Sequence, residues 1–213
     1  MTAVALRAPL VAGAWERQTD YGAISGRRYR DRDLGREAIK ILPGEFQVTD
    51  EDLVLVTLLG SCVSACLRDA RAGVGGINHF MLPETEAAQS GSARYGAYAM
   101  EVLINELLKR GARRERLEAK VFGGGNVIPG MTVANVGARN AEFALRYLEN
   151  EGVPVLAQDL GGNDARKLAY FPRSGRLLLK HLPVAATIAD LAVETAYGRS
   201  LQREQPSGDV ELF

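Results

Sequence analysis

The sequence predicts a mixed α/β or α+β layered domain, because short apolar strand segments alternate along the chain with two helical segments. The length of 213 residues suits one compact domain with extensions. Hydrophobic residues make up 46% of the chain, which supplies enough apolar surface for a core and excludes an intrinsically disordered protein.

Regular structure is expected to begin at Ala38. Before it, residues 27–37 carry dense charge of both signs, which is typical of a solvated face, with partner docking as the alternative. Two short β-branched runs, 38–42 and 53–58, are bounded by the turn-forming PGE and GSC segments and predict two strands. Residues 63–69 and 74–82 flank the turn-like segment DARAG and predict a β-hairpin.

The second half of the chain supplies the helices and the remaining strands. Residues 95–110 have apolar side chains at mostly helical spacing and end before Gly111, a helix-stop signal. A second helix is predicted at 141–150. Further strands are predicted at 117–122, 153–160, 167–171 and 176–182, and a short helix at 186–197.

Charge and cysteine content narrow the functional classes. Lys and Arg together number 26, as do Asp and Glu, so the chain has no net charge and lacks the basic footprint of a nucleic-acid-binding protein.

No segment approaches the ~18 apolar residues of a membrane span, so we expect no membrane insertion. Arg7 and Pro9 interrupt the mildly signal-like start, and two cysteines are a poor disulfide scaffold. We therefore expect a cytoplasmic protein.

The residues best suited to chemistry are Cys62 and His79. Cys62 follows Gly60 and Ser61 at the end of an apolar strand, and His79 lies in the second arm of the predicted hairpin. If the turn centres on residues 70 and 71, the two side chains lie directly opposite on one face, with Cβ atoms roughly 4.5–5.5 Å apart. An imidazole can hold a thiol ionised, giving a nucleophile with its own acid and base. On spacing alone, a buried structural cysteine and histidine remain the alternative.

Other candidate sites are weaker. Cys66 lies inside an apolar run and is expected in the core, whereas His181 ends a strand and is expected to be structural or exposed. Two cysteines and two histidines lack the spacing of a zinc site, so no metal is expected. The glycine run at 121–130 lacks both the P-loop ending and the dinucleotide-binding spacing. We expect it to pack as a loop near the active site.

Several segments resemble the CheD family, the chemoreceptor glutamine deamidases of bacterial chemotaxis. The most specific are TLLGSCVSACLRD at 57–69 and GVGGINHFMLP at 73–83, and the resemblance covers about residues 28–183. Residues 1–27 then form a loose N-terminal arm, and residues 184–213 a short helix with a polar tail. The other matching segments are KILPGEF, ARYGAYAMEVLINELL, AKVFGGG, NVGARNAEF and DLGG.

The resemblance implies a three-layer α/β sandwich similar to the catalytic domain of the cytotoxic necrotizing factor toxins. It also implies a catalytic set of Cys62, His79 and Thr57. Some members read TLGLGSC where this chain reads TLLGSC, which is one residue shorter. Backbone N–H groups near Gly60, Ser61 and Val63 are then the expected oxyanion donors.

The implied reaction is hydrolysis of a glutamine side chain to glutamate through a thioester, without a cofactor. The implied partners are the cytoplasmic helices of chemoreceptors and a CheC-type phosphatase. Two other functions remain open: a non-catalytic regulator that binds such a phosphatase or a receptor, and a thiol hydrolase or transglutaminase-like enzyme with a different acyl donor.

Overall fold

A computed structural model of the chain describes residues 28–82, 89–127, 136–183 and 188–203. The predicted arm at 1–27 and the last ten residues of the predicted tail lie outside these ranges. The elements are β1 (Arg28–Asp31), β2 (Arg36–Lys40), β3 (Phe46–Thr49), β4 (Val54–Leu59), β5 (Val63–Asp69), β6 (Val74–Asn78), α1 (Gln89–Lys109), a 3₁₀ turn (Arg114–Arg116), β7 (Leu117–Gly123), α2 (Val136–Asn150), β8 (Val155–Leu160), β9 (Ala165–Phe171), β10 (Arg176–Leu182) and α3 (Ile188–Arg203).

The strands form two five-stranded sheets. Sheet A has the order β1, β2, β4, β9, β10, and sheet B has the order β3, β6, β5, β7, β8. Side chains alternate along β5, so Val63, Ala65 and Leu67 pack with α1 and α2. Cys66 on the opposite face packs with Leu55 and other residues of sheet A. The order of layers is therefore helices, sheet B, sheet A, which is a mixed α/β fold as predicted.

The predicted strands and helices are present, with two additional strands. The charged segment before Ala38 contains β1, which pairs with β2 in a hairpin rather than forming only a solvated face. Both strands carry exposed arginines, and Arg28 and Arg36 form ion pairs with Glu51 and Asp52. Strand β3 has four residues at the edge of sheet B, too few to show a period in the sequence.

The C-terminal helix differs most from expectation. Helix α3 has 16 residues and extends into the segment predicted as a polar tail. It packs against the domain, since Leu201 is buried in the core cluster between the two sheets. No helix in the described ranges is both long and apolar enough to cross a membrane.

Candidate active site

Cys62 lies where the chain passes from one sheet to the other. Strand β4 of sheet A ends at Leu59, and strand β5 of sheet B begins at Val63. The intervening Gly60, Ser61 and Cys62 form a short connection between the two sheets. Cys62 itself has no accessible surface. The fold therefore holds this cysteine on a fixed backbone between two buried strands.

The glycine run packs against this connection, as the sequence predicted. The N–H of Gly124 donates to the carbonyl oxygen of Cys62 at 2.8 Å. At Gly123 the backbone has a φ of 114°, and a Cβ there would lie 2.2 Å from the Cys62 oxygen. Only glycine allows this approach at a positive φ. The described part of the run thus shapes the loop that carries Cys62.

Asn140 on α2 is a supporting residue that sequence reasoning missed. Its side-chain nitrogen donates to the Ser61 carbonyl oxygen at 2.9 Å, and its side-chain oxygen accepts the N–H of Leu82 at 2.9 Å. The side chain is fully buried. Because the helix was predicted to begin at residue 141, Asn140 was not recognised as a polar residue on its buried face, where an amide needs partners.

The structure confirms the predicted β5–β6 hairpin but shifts its register. Val63 pairs with Phe80, so His79 lies opposite Ser64 and not opposite Cys62. The difference is two residues, and because side chains alternate with a period of two, Cys62 and His79 still share one face. They are diagonal neighbours, a spacing that long side chains can span.

Thr57 connects the two sheets through His79. The Thr57 hydroxyl donates to the carbonyl oxygen of Ile41 at 2.8 Å and lies 2.8 Å from His79 Nδ1. Since its one proton is used on Ile41, the hydroxyl must accept from the Nδ1–H. This fixes Nε2 as the nitrogen that can exchange protons. Within the described chain, Nε2 is buried and makes no hydrogen bond.

Glu194 on α3 is a second residue that sequence reasoning missed. Its carboxylate accepts the N–H groups of Gly60 at 2.7 Å and Ser61 at 3.0 Å. It also lies 3.5 Å from His79 Nε2. The residue is 3% exposed although it carries a charge. This glutamate lies on the predicted short helix outside the segments that carry the family resemblance, and no local pattern marks it as buried.

These contacts set the protonation of the site. Burial raises the pKa of Cys62 well above its usual value, and the Glu194 carboxylate raises it further. Burial alone would raise the pKa of Glu194, but contact with His79 and the N–H groups of Gly60 and Ser61 hold it below its usual value. The arrangement therefore contains a carboxylate and a protonated thiol.

The expected oxyanion donors are only partly available. The N–H groups of Gly60 and Ser61 point into the site, where they bind the Glu194 carboxylate. The N–H of Val63 donates to the carbonyl oxygen of Phe80 at 2.9 Å. This group belongs to the β-ladder and is not free to bind an oxyanion, so the expectation for Val63 is corrected and Gly60 and Ser61 remain the candidates.

The other cysteine and histidine lie apart from this chemistry. Cys66 is 1% exposed in the core, and burial raises the pKa of its thiol to about 12. His181 is partly exposed, with Nε2 3.1 Å from a carboxylate oxygen of Asp159. Both agree with the sequence predictions.

A metal could find three donors here. The ligand atoms of Cys62, His79 and Glu194 lie within 4.8 Å of one another in the described part of the chain. Sulfur, imidazole nitrogen and carboxylate oxygen are all zinc ligands. The carboxylate, however, already accepts two backbone N–H groups, and the prediction of a metal-free site stays a prediction.

Comparison with known proteins gives a consistent result. The model of the family described as "CheD chemotactic sensory transduction" matches residues 81–181. A protein of Cupriavidus metallidurans named "Probable chemoreceptor glutamine deamidase CheD" is 56% identical over 200 residues, covering 90% of this chain and 91% of its own. One of the same name from Cupriavidus pinatubonensis is 61% identical over 165 residues, covering 75% and 76%.

Among solved structures, the hypothetical protein YfiH of Bacillus licheniformis matches with a TM-score of 0.36 and 14% sequence identity. The match covers 54% of this chain and 49% of that one.

Proposed function

This chain belongs to the CheD family, and from that premise we propose that it hydrolyses glutamine side chains of chemoreceptors to glutamate and ammonia. The observation that supports this activity is the convergence of Cys62, His79 and Thr57 on one buried point beside two inward-facing N–H groups. Thiol, imidazole and oxyanion donors are the groups that amide hydrolysis through a thioester requires.

The chemistry proceeds in two steps. His79 Nε2 takes the thiol proton, and Cys62 Sγ attacks the carboxamide carbon while Gly60 and Ser61 stabilise the oxyanion. Ammonia leaves with a proton from His79, and a thioester remains. Water then attacks the thioester with His79 as general base, which releases glutamate and restores the thiol. General acid–base help of this kind is worth about 10²–10⁴ in rate.

The direct test is incubation of the protein with a purified cytoplasmic fragment of a chemoreceptor. Peptide mass spectrometry should show specific glutamines heavier by about 1 Da, the change from amide to acid, with equimolar ammonia. Binding of the fragment without any converted glutamine would instead favour the non-catalytic regulator. Conversion of a different acyl donor only would favour the thiol hydrolase alternative.

Thr57→Val should slow turnover by about 10- to 100-fold. The hydroxyl stabilises the ring as it becomes charged, and a hydrogen bond to a charged group is worth about 1.5–3 kcal/mol. Thr57→Ser is the matched control, because it keeps the hydroxyl and should retain most activity. Steady-state rates and melting temperatures of both variants check this. If Thr57→Val and Thr57→Ser lost the same activity and the same melting temperature, Thr57 would be a core residue without a role in turnover.

We also propose that the protein acts in the cytoplasm and binds a CheC-type phosphatase in addition to the receptor. Support comes from the family resemblance. With no net charge, both interactions should show only moderate salt sensitivity, because screening then acts on local patches. Titration against purified phosphatase and receptor fragment decides this, and no measurable binding to the phosphatase at low salt would remove it as a partner.

The likeness of the fold to the cytotoxic necrotizing factor domain stays a prediction from the same resemblance.

A further inference from the structure

Helix α3 packs over the candidate site. Cys62 has no accessible surface, and His79 is 1% exposed. A glutamine carried by another protein cannot reach the thiol in this conformation. Glu194 of α3 lies 3.5 Å from His79 Nε2 and accepts the N–H groups of Gly60 and Ser61, so α3 is the element that has to move for a protein substrate to enter.

One face of α3 carries the contacts. Glu194, Tyr197, Gly198 and Leu201 have the spacing of one helical stripe. Tyr197 hydrogen-bonds through its hydroxyl to that of Tyr95. A Cβ at Gly198 would lie 3.2 Å from the sulfur of Met81. Leu201 is 7% exposed. The groove beneath this stripe is thus shaped to receive an α-helix.

The chemistry at the centre of the groove is unusual for a packing contact. An apolar side chain would fill the space without the cost of burying a charge. The helix instead presents a carboxylate to Gly60, Ser61 and His79. The side chain of glutamate is also the product that hydrolysis of a glutamine leaves. Glu194 therefore has the chemical identity and the surroundings expected of bound product.

We propose that α3 occupies the groove that receives a substrate helix, with Glu194 held at the active site as an intramolecular product mimic. This inference rests on the proposed function. The partner that fits the groove is a helix with glutamine at the position of Glu194, a small residue four positions later and an apolar residue seven positions later. Such a receptor helix competes with α3, so that α3 lowers basal activity.

Replacing Glu194 with glutamine converts this product mimic into a substrate. In Glu194→Gln, the Cys62 sulfur attacks the carboxamide carbon of the introduced glutamine, the carbon–nitrogen bond breaks and ammonia leaves. Water then cleaves the thioester and restores glutamate at position 194. The purified variant should gain about 1 Da without any receptor present, and its tryptic peptide should contain glutamate.

Two control variants make this result specific. The double variant Glu194→Gln, Cys62→Ala should keep glutamine at position 194. Val193→Gln places a glutamine on the same helix at a residue that is 47% exposed, and it should remain glutamine. Conversion in either control would mean spontaneous or non-specific deamidation and would overturn the inference.

Failure of the inference is separable from failure of the function. If the introduced glutamine persists at position 194 in a protein still able to convert receptor glutamine, the product mimic is rejected and the proposed function is left intact. Wild-type protein that never converts receptor glutamine rejects the function, whatever happens at position 194.

A second readout does not depend on turnover. Glu194→Ala should speed alkylation of Cys62 by iodoacetamide by about tenfold or more. The substitution removes the carboxylate that occupies the site and so releases α3. Val193→Ala should leave the rate unchanged. Equal alkylation rates in wild type and Glu194→Ala would contradict closure of the site by α3.

Discussion

Replacing Cys62 with alanine should abolish glutamine hydrolysis, with turnover reduced by about 10⁴-fold or more. The methyl group cannot form a thioester, and His79 alone provides no covalent route. Ammonia release and peptide masses of a receptor fragment measure the loss. Because the alanine side chain is smaller than cysteine and equally apolar, the variant should fold, and its melting curve verifies this.

Cys66→Ala is the matched control for this experiment. Both cysteines are buried, but Cys66 lies within strand β5, after the loop that carries Cys62. Its thiol does not belong to the cluster of Cys62, His79 and Glu194 found in the described part of the chain, so we expect it to take no part in the reaction. The variant should keep most of the activity. Wild-type ammonia release from Cys62→Ala, or full loss in Cys66→Ala alone, would end the assignment of Cys62 as nucleophile.

His79→Asn should lower turnover by about 10²–10⁴-fold, the usual contribution of a general acid–base group. The asparagine amide can still donate to Thr57 in place of Nδ1–H, but nothing replaces Nε2 near Cys62. The substitution therefore removes proton transfer while it retains the link between the sheets. Loss of turnover with little change in melting temperature is the expected pair of results.

The pH–rate profile separates catalysis from structure. Burial and the Glu194 carboxylate raise the pKa of Cys62, so a variant without a base can use this thiol only where alkaline pH ionises it. Turnover of the His79→Asn variant should therefore rise more steeply with pH than wild-type turnover, in which His79 takes the thiol proton. A variant with wild-type turnover, or one with an unchanged pH profile, would assign the general base to another group.

The sequence by itself determined most of the secondary structure and singled out Cys62 and His79 as the candidate reactive pair. Short apolar runs bounded by turn-forming segments predicted every strand except β1 and β3, and helical spacing with glycine stops predicted α1 and α2. Cys62 and His79 were found because the chain has only two cysteines and two histidines, so few Cys–His pairs are possible. The predicted register was wrong by two residues. The two side chains still lie on the same face, because side chains along a strand alternate between its faces with a period of two.

The tertiary structure alone decided how this pair is held and covered. Asn140 and Glu194 lie far from Cys62 in sequence, and each acts through contacts to the backbone of Gly60 or Ser61. Backbone N–H and carbonyl groups are the same in every residue, so no local pattern can show which distant side chain will bind them. No local pattern in α3 shows that its buried face includes the charged Glu194, because the groups that stabilise this charge are distant in sequence. Long-range contacts between a side chain and the backbone therefore set both the geometry and the closure of the site.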